Sequence, residues 1–190
     1  MRRAVCALAL TASAMAHPTE SPGMSESASE ASEIDQKIRV LLFPSGDRQF
    51  RGAREQAIAY LLAHAEEAHP RLLALVEGDS PPVTVLAALP RFGRIESVPV
   101  LENALRHASD ASTVLAGQAL GQHPRPEARA ALESALGDAR NQVVASAAEG
   151  LALRGDRASC PALAAALSHP DLDVRARIRA AMARIGCGEG

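Results

Sequence analysis

His64 and His69 enclose the run Ala-Glu-Glu-Ala, and two histidines beside two carboxylates are residue types that can hold a metal ion. A helical zinc motif sets its histidines four apart, so that both leave the same face. Here they are five apart, about 140° around a helix at 100° per residue, and Pro70 follows at once. That geometry argues against a shared ion, and no metal or other cofactor is expected. Cys160 and His169 are the types that form a nucleophile and its base, but no neighbouring residue orients them. No catalytic residue is assigned. His107, His123 and His169 recur near expected helix ends, where a ring N–H can satisfy terminal carbonyls.

The elements that must position these side chains follow from a period. Leu101, Leu132 and Leu163 are 31 residues apart, as are Leu105, Leu136 and Leu167, and Leu89, Leu120, Leu151 and Met182. Three series with one period define an internal repeat, each copy a unit that buries its apolar face against its neighbours. Aromatic residues make up only 2% of the chain, and Ala and Leu supply most of its apolar content, which favours helix throughout. The expected fold is therefore all-α, an α-solenoid of four to five antiparallel helix hairpins. A net charge of -2 gives no field to attract a polyanion, so nucleic acid is not expected as a partner. Lys37 is the only lysine, and the arginine bias reads as compositional rather than as a demand for bidentate recognition.

In the last unit, Cys160-Pro161 opens helix A, with Pro161 tolerable only in a first turn. Leu163 and Leu167 share one face of that helix, and Ser168-His169-Pro170-Asp171 ends it. Asp171 or Asp173 can cap helix B, whose stripe is Val174, Ile178, Ala181, Met182 and Ile185, closed by Gly186. One step back gives Leu132, Leu136, Val143, Ala147, Leu151 and Gly155. The register runs from about Pro82 to Gly186 and loosens upstream, where the step from Leu101 lands on Pro70. Arg54 to His64 and Pro70 to Val76 read as a further helix pair, and Ile34 to Phe43 as one more helix, ended by Pro44-Ser45-Gly46.

Cys160 and Cys187 stand at the entry to helix A and just after helix B of this final hairpin, ends that are neighbours in an antiparallel pair. A disulfide between them would stabilise by roughly 3 to 4 kcal/mol on the chain-entropy model. Two separate thiols are the alternative.

At the other end, Met1-Arg2-Arg3, the apolar run Ala4 to Ala12 and Ala14-Met15-Ala16 have the layout of a secretory signal peptide. The apolar run is shorter than the roughly 20 residues that cross a bilayer, so no stable membrane insertion is expected after cleavage. Cys6 lies too early and lacks the preceding pattern of a lipid-attachment box. Residues 17–33, rich in Ser and Glu, read as a disordered tether. The expected organisation is a signal peptide over 1–16, the tether over 17–33, an irregular helical cap over 34–79 and repeats over 80–190, in a periplasmic or secreted protein.

The run from Asp171 to Gly186, DLDVRARIRAAMARIG, resembles helix B of the HEAT-like repeats, the short bacterial kind also found in phycobilin lyases. Gln142 to Gly155 and Ser112 to Gln122 are similar but less regular, and Pro124 replaces the terminal glycine of the latter. In such arrays the B helices line the concave side, so the resemblance implies an open groove there. The positions opposite the packed stripe are Ala176, Ala180 and Ala183; Ala145, Glu149 and Ala152; Val114, Gln118 and Gly121; and Val83, Ala87 and Pro90. With the flanking Arg91, Gln122, Ser146, Arg177, Arg179 and Arg184, they outline a groove for a helix or extended peptide of a protein partner. The candidate partner-binding set is Arg91, Gln118, Gln122, Ser146, Glu149, Arg177, Arg179 and Arg184. The same small residues would equally serve close helix packing, and both uses stay open at this point. The resemblance implies a scaffold without chemistry of its own, or alternatively a chromophore-lyase-like or other enzyme-maturation factor. Iron-binding HEAT-like hydroxylases carry His-Glu dipeptides, and this chain has none.

Overall fold

The computed structural model describes residues 22–43, 48–77 and 80–188; the expected signal peptide and Cys6 lie outside them. Among the described residues the secondary structure is entirely helical. Three helices come first: α1 (Pro22–Leu42), α2 (Arg48–Ala63) and α3 (Ala65–Ala74). Then follow α4 (Val83–Ala88), continued by a 3-10 turn over Leu89–Phe92, α5 (Ser97–His107), α6 (Asp110–Gln122) and α7 (Pro126–Ala135). The stack ends with α8 (Asn141–Arg154), α9 (Cys160–Ala166) and α10 (Leu172–Ile185). Helices α5, α7 and α9 are the A helices of the regular units, and α6, α8 and α10 their B helices.

The periodic residues form the core. Leu89, Leu120 and Leu151, like Leu101, Leu132 and Leu163, are completely buried, whereas Met182 and Leu167 in the last unit are only half-buried. Exposure rises there because, among the described residues, no further helix packs beyond α9 and α10. Helix ends follow local chemistry. Pro126 and Pro161 sit in first turns, where a missing N–H costs no intrahelical bond. Asp171 is the cap of α10, its carboxylate accepting from the amides of Asp173 and Val174 at 2.8 and 3.0 Å. Those two bonds hold its carboxyl below the usual range. Gly155 and Gly186 close α8 and α10 with φ of 69° and 80°, a conformation side chains resist. Helix α6 has no such glycine and ends instead at His123, which the following Pro124 keeps extended.

Three expectations for the N-terminal part are corrected. Residues 22–33, assigned to the disordered tether, belong to α1. Their Ser, Glu and Ala include no helix breaker after Gly23, and the far half is tied down: Arg71 donates to the Ala31 carbonyl at 3.0 Å and pairs with Asp35 at 2.8 Å. Pro70 does not open a helix but lies within α3, and the break from α2 falls at His64, less than two turns upstream. Finally, the register reaches further back than Pro82. Ile58 on α2 stands 31 residues before Leu89 and is buried with it in the common core. Helix α2 thus holds the B position of the cap, and the mismatch is confined to α3, where Leu72 fills the core instead of Pro70.

The bridge between Cys160 and Cys187 is formed, with their Cα atoms 5.6 Å apart. It ties the start of α9 to the residue following the cap of α10, in the last described hairpin of the stack.

Candidate partner-binding face

Repeat arithmetic identifies one face of the B helices. Positions 84, 87 and 91 on α4 and its turn recur as 115, 118 and 122 on α6, 146, 149 and 153 on α8, and 177, 180 and 184 on α10. Within each helix the spacing of three and then four residues keeps the positions on one side. Two shallow clefts open along this face. One, of about 220 Å³, lies between α2 and α4 and is lined by Arg51, Arg54, Glu55, Thr84, Ala87 and Arg91, with Leu41 and Ile58 deeper. The other, of about 130 Å³, lies between α8 and α10 and is lined by Glu149, Ala152, Arg177, Ala180, Ala181 and Arg184.

Between α6 and α8 the face is closed. Gly117 and Gly121 on α6 meet Ser146 and Gly150 on α8 so closely that a Cβ at Gly117 would sit 2.6 Å from the Ser146 carbonyl oxygen, and one at Gly121 would sit 2.5 Å from that of Gly150. Small residues four apart on both helices let the two backbones touch. This corrects part of the expected groove. Ser146 is buried and accepts from the Gln142 side chain at 3.1 Å, so it offers nothing to a partner. Gly121, Ala145, Ala152 and Pro90 are buried as well, whereas Ala87, Ala176, Ala180 and Ala183 are exposed. The small residues therefore serve packing in the middle of the array and an open surface toward its ends.

The remaining candidates divide by position. Arg91 pairs with Glu55 at 2.9 Å, and Arg177 pairs with Glu149 across the α8–α10 cleft. Arg184 lies on the rim of the same cleft, seven residues and about two turns from Arg177. Gln118 is half-exposed and Gln122 exposed on the central part of the face. Arg179 is exposed, but two residues from Arg177 is about 200° of helix, so it leaves the far side of α10 and is not brought to the cleft.

Most other arginines have a structural task that the sequence reading did not find. Arg125 donates to the Gly93 carbonyl at 2.9 Å, Arg140 to that of Arg106 at 2.8 Å, and Arg157 to that of Gly186 at 2.8 Å. Each reaches about one repeat along the chain to a carbonyl near a helix end, where the guanidinium's forked donors suit groups with no intrahelical partner. The signal was present as arginines recurring near repeat junctions, but a side chain's reach is not a property of spacing alone.

The histidines also differ from expectation. His123 and His169 do not donate to terminal carbonyls; their Nδ1 atoms accept the backbone N–H groups of Arg125 and Asp171, at 3.3 and 3.1 Å, across His-Pro turns. His69 is buried, hydrogen-bonded through Nε2 to the Ser97 hydroxyl at 2.7 Å and tilted against the Phe92 ring. His64 stays on the surface, its Nδ1 donating to the Tyr60 carbonyl at 2.9 Å and its Nε2 3.2 Å from Glu30. Among the described residues no group of three or more His, Cys, Asp or Glu side chains is placed to hold a metal ion.

Residues 98–183, from α5 through most of α10, match the family model of HEAT repeats. Together with the all-helical stack, this match supports a HEAT-like repeat protein and is consistent with the architecture of an α-solenoid. No curated protein matches the chain. HEAT repeats generally serve as scaffolds for protein interaction.

Proposed function

We propose that the protein is an exported scaffold that binds a protein or peptide partner on the face carried by α2, α4, α6, α8 and α10, with no chemistry of its own. One observation carries this reading. Positions equivalent under the 31-residue repeat line two clefts on one side of the stack, and both clefts are floored by alanine and rimmed by charge. Small floors admit a partner's backbone, and rim charges fix its direction. Neither cleft is deep enough to enclose a small substrate.

Export rests on the signal-like start of the chain and is favoured by the disulfide, since such bonds persist in oxidising compartments. No helix among the described residues is long and apolar enough to cross a membrane. Intact mass of the protein from the periplasm or medium tests this part: a chain beginning at His17 is expected, and retention of Met1 would overturn export.

The interaction surface is tested by placing a photo-crosslinking residue at Ala180 in the α8–α10 cleft and at Ala164, exposed on α9. A partner identified by mass spectrometry at Ala180 and absent at Ala164 is expected. Equal capture at both positions would overturn the assignment of the face.

A further inference from the structure

We infer that the partner segment is extended and acidic, and that it is anchored at two points about eight residues apart along its length. The inference rests on the scaffold reading above and specifies its ligand. The chain as a whole is acidic, with a net charge of -2, yet both clefts on the B-helix face carry more arginine than glutamate. Around the α2–α4 cleft, Arg51, Arg54 and Arg91 face the single carboxylate of Glu55. Around the α8–α10 cleft, Arg177 and Arg184 face that of Glu149.

Each glutamate is already paired, with Arg91 and Arg177 respectively, so it orients one guanidinium and leaves Arg51 in one cleft and Arg184 in the other for a ligand. Arg51 and Arg184 make no ion pair or hydrogen bond among the described residues. Such an arrangement recognises carboxylates, which accept paired bonds from a guanidinium. The part of the face between the clefts offers Gln118 and Gln122, which can bond a backbone but carry no charge.

The spacing follows from packing. The clefts are separated by three helix-to-helix steps, α4 and α6 and α8 lying between them, which at 8–10 Å per step is about 25–30 Å. An extended chain advances about 3.3 Å per residue, so roughly eight residues bridge the two anchors. Two weak anchors on one strand reinforce each other only when the linker spans the distance.

Fluorescence anisotropy of the full chain with a synthetic peptide tests this. The probe carries one aspartate pair at each end of a spacer of about eight Gly and Ser residues. Binding that weakens at least tenfold when the aspartates become asparagines, or when one pair is removed, is the expected result. Arg51→Gln and Arg184→Gln should each weaken it by about tenfold, with unchanged circular dichroism because neither arginine has a partner to lose. Absence of binding, equal binding of the asparagine peptide, or undiminished binding by the double variant would each overturn the inference. Capture at Ala180 of a partner whose crosslinked segment is not acidic would overturn it too, while leaving the scaffold reading in place.

Discussion

Arg154, at the end of α8, donates to the carbonyl oxygen of His123 at 2.6 Å and to that of Arg125 at 3.0 Å, so one guanidinium closes the end of α6 one repeat earlier. The two carbonyls lie on either side of Pro124, where no glycine cap satisfies the helix terminus. Arg154→Lys keeps the charge but loses the fork, since an ammonium is a point charge without paired, planar donors. It is expected to lower stability by about 1 to 2 kcal/mol, and Arg154→Ala by up to about 3 kcal/mol, measured by urea unfolding. Equal stability of all three proteins would show that the bonds contribute nothing net.

Gly121 and Gly52 should respond to alanine with opposite signs. A Cβ at Gly121 meets the backbone of Gly150, which cannot yield without separating α6 from α8, whereas one at Gly52 on α2 meets nothing within 4 Å. Gly121→Ala is expected to cost at least about 2 kcal/mol by overpacking. Gly52→Ala is expected to gain up to about 1 kcal/mol from helix propensity. Thermal melts of the two variants check the contrast.

Within one repeat series the cost of truncation should fall toward the end of the stack. Leu120→Ala empties a fully buried site between neighbouring units and is expected to cost about 2 to 5 kcal/mol. Met182→Ala, at the equivalent but half-buried position, should cost distinctly less. Denaturant midpoints at constant slope provide the comparison.

Breaking the Cys160–Cys187 bond should loosen the last hairpin selectively. Replacing both cysteines with alanine is expected to destabilise by about 3 to 4 kcal/mol on the chain-entropy model. Hydrogen exchange should accelerate in α9 and α10 before α6 and α8. Uniform acceleration across the stack would instead mean that the array unfolds as one unit.

Acid should weaken the junction between the cap and the repeats. His69 and His123 are both buried. Burial, then the charge of Arg94, lowers the His69 value; burial is also the main cause for His123, partly offset by the Arg94 backbone and reinforced by Arg154 and Arg125. Glu66, Glu96 and Glu127 act in the opposite direction but do not reverse either shift. With folded values below the ordinary imidazole value of about 6.5, the unfolded chain binds more protons between the two. Stability from these groups is therefore present above about pH 6.5 and is lost as the pH falls toward their folded values. The variant carrying His69→Gln and His123→Asn should show a smaller loss between about pH 7 and 5. An unchanged slope would assign acid sensitivity to other groups.

The sequence by itself determined the helical class, the 31-residue register, the proline and glycine boundaries and the pairing of Cys160 with Cys187 as neighbours. These are legible because helix periodicity and capping depend on residues close in the chain. Even there, α1 was underestimated, since a Ser- and Glu-rich composition lacks an apolar stripe and its order comes partly from contacts such as Arg71 with Ala31 and Asp35. Tertiary structure decided which small residues are surface and which are seam. Gly121 shares the apparent outward stripe with Ala87 and Ala180, but α6 and α8 close on each other while α8 and α10 leave a cleft. Helix separation depends on the residues of both partners at the crossing, so a stripe read from one helix cannot supply it. The same reason put Arg184 on a rim and Arg154 on a carbonyl: both are arginines on B helices, and only the neighbouring unit distinguishes a free guanidinium from one that holds the stack together.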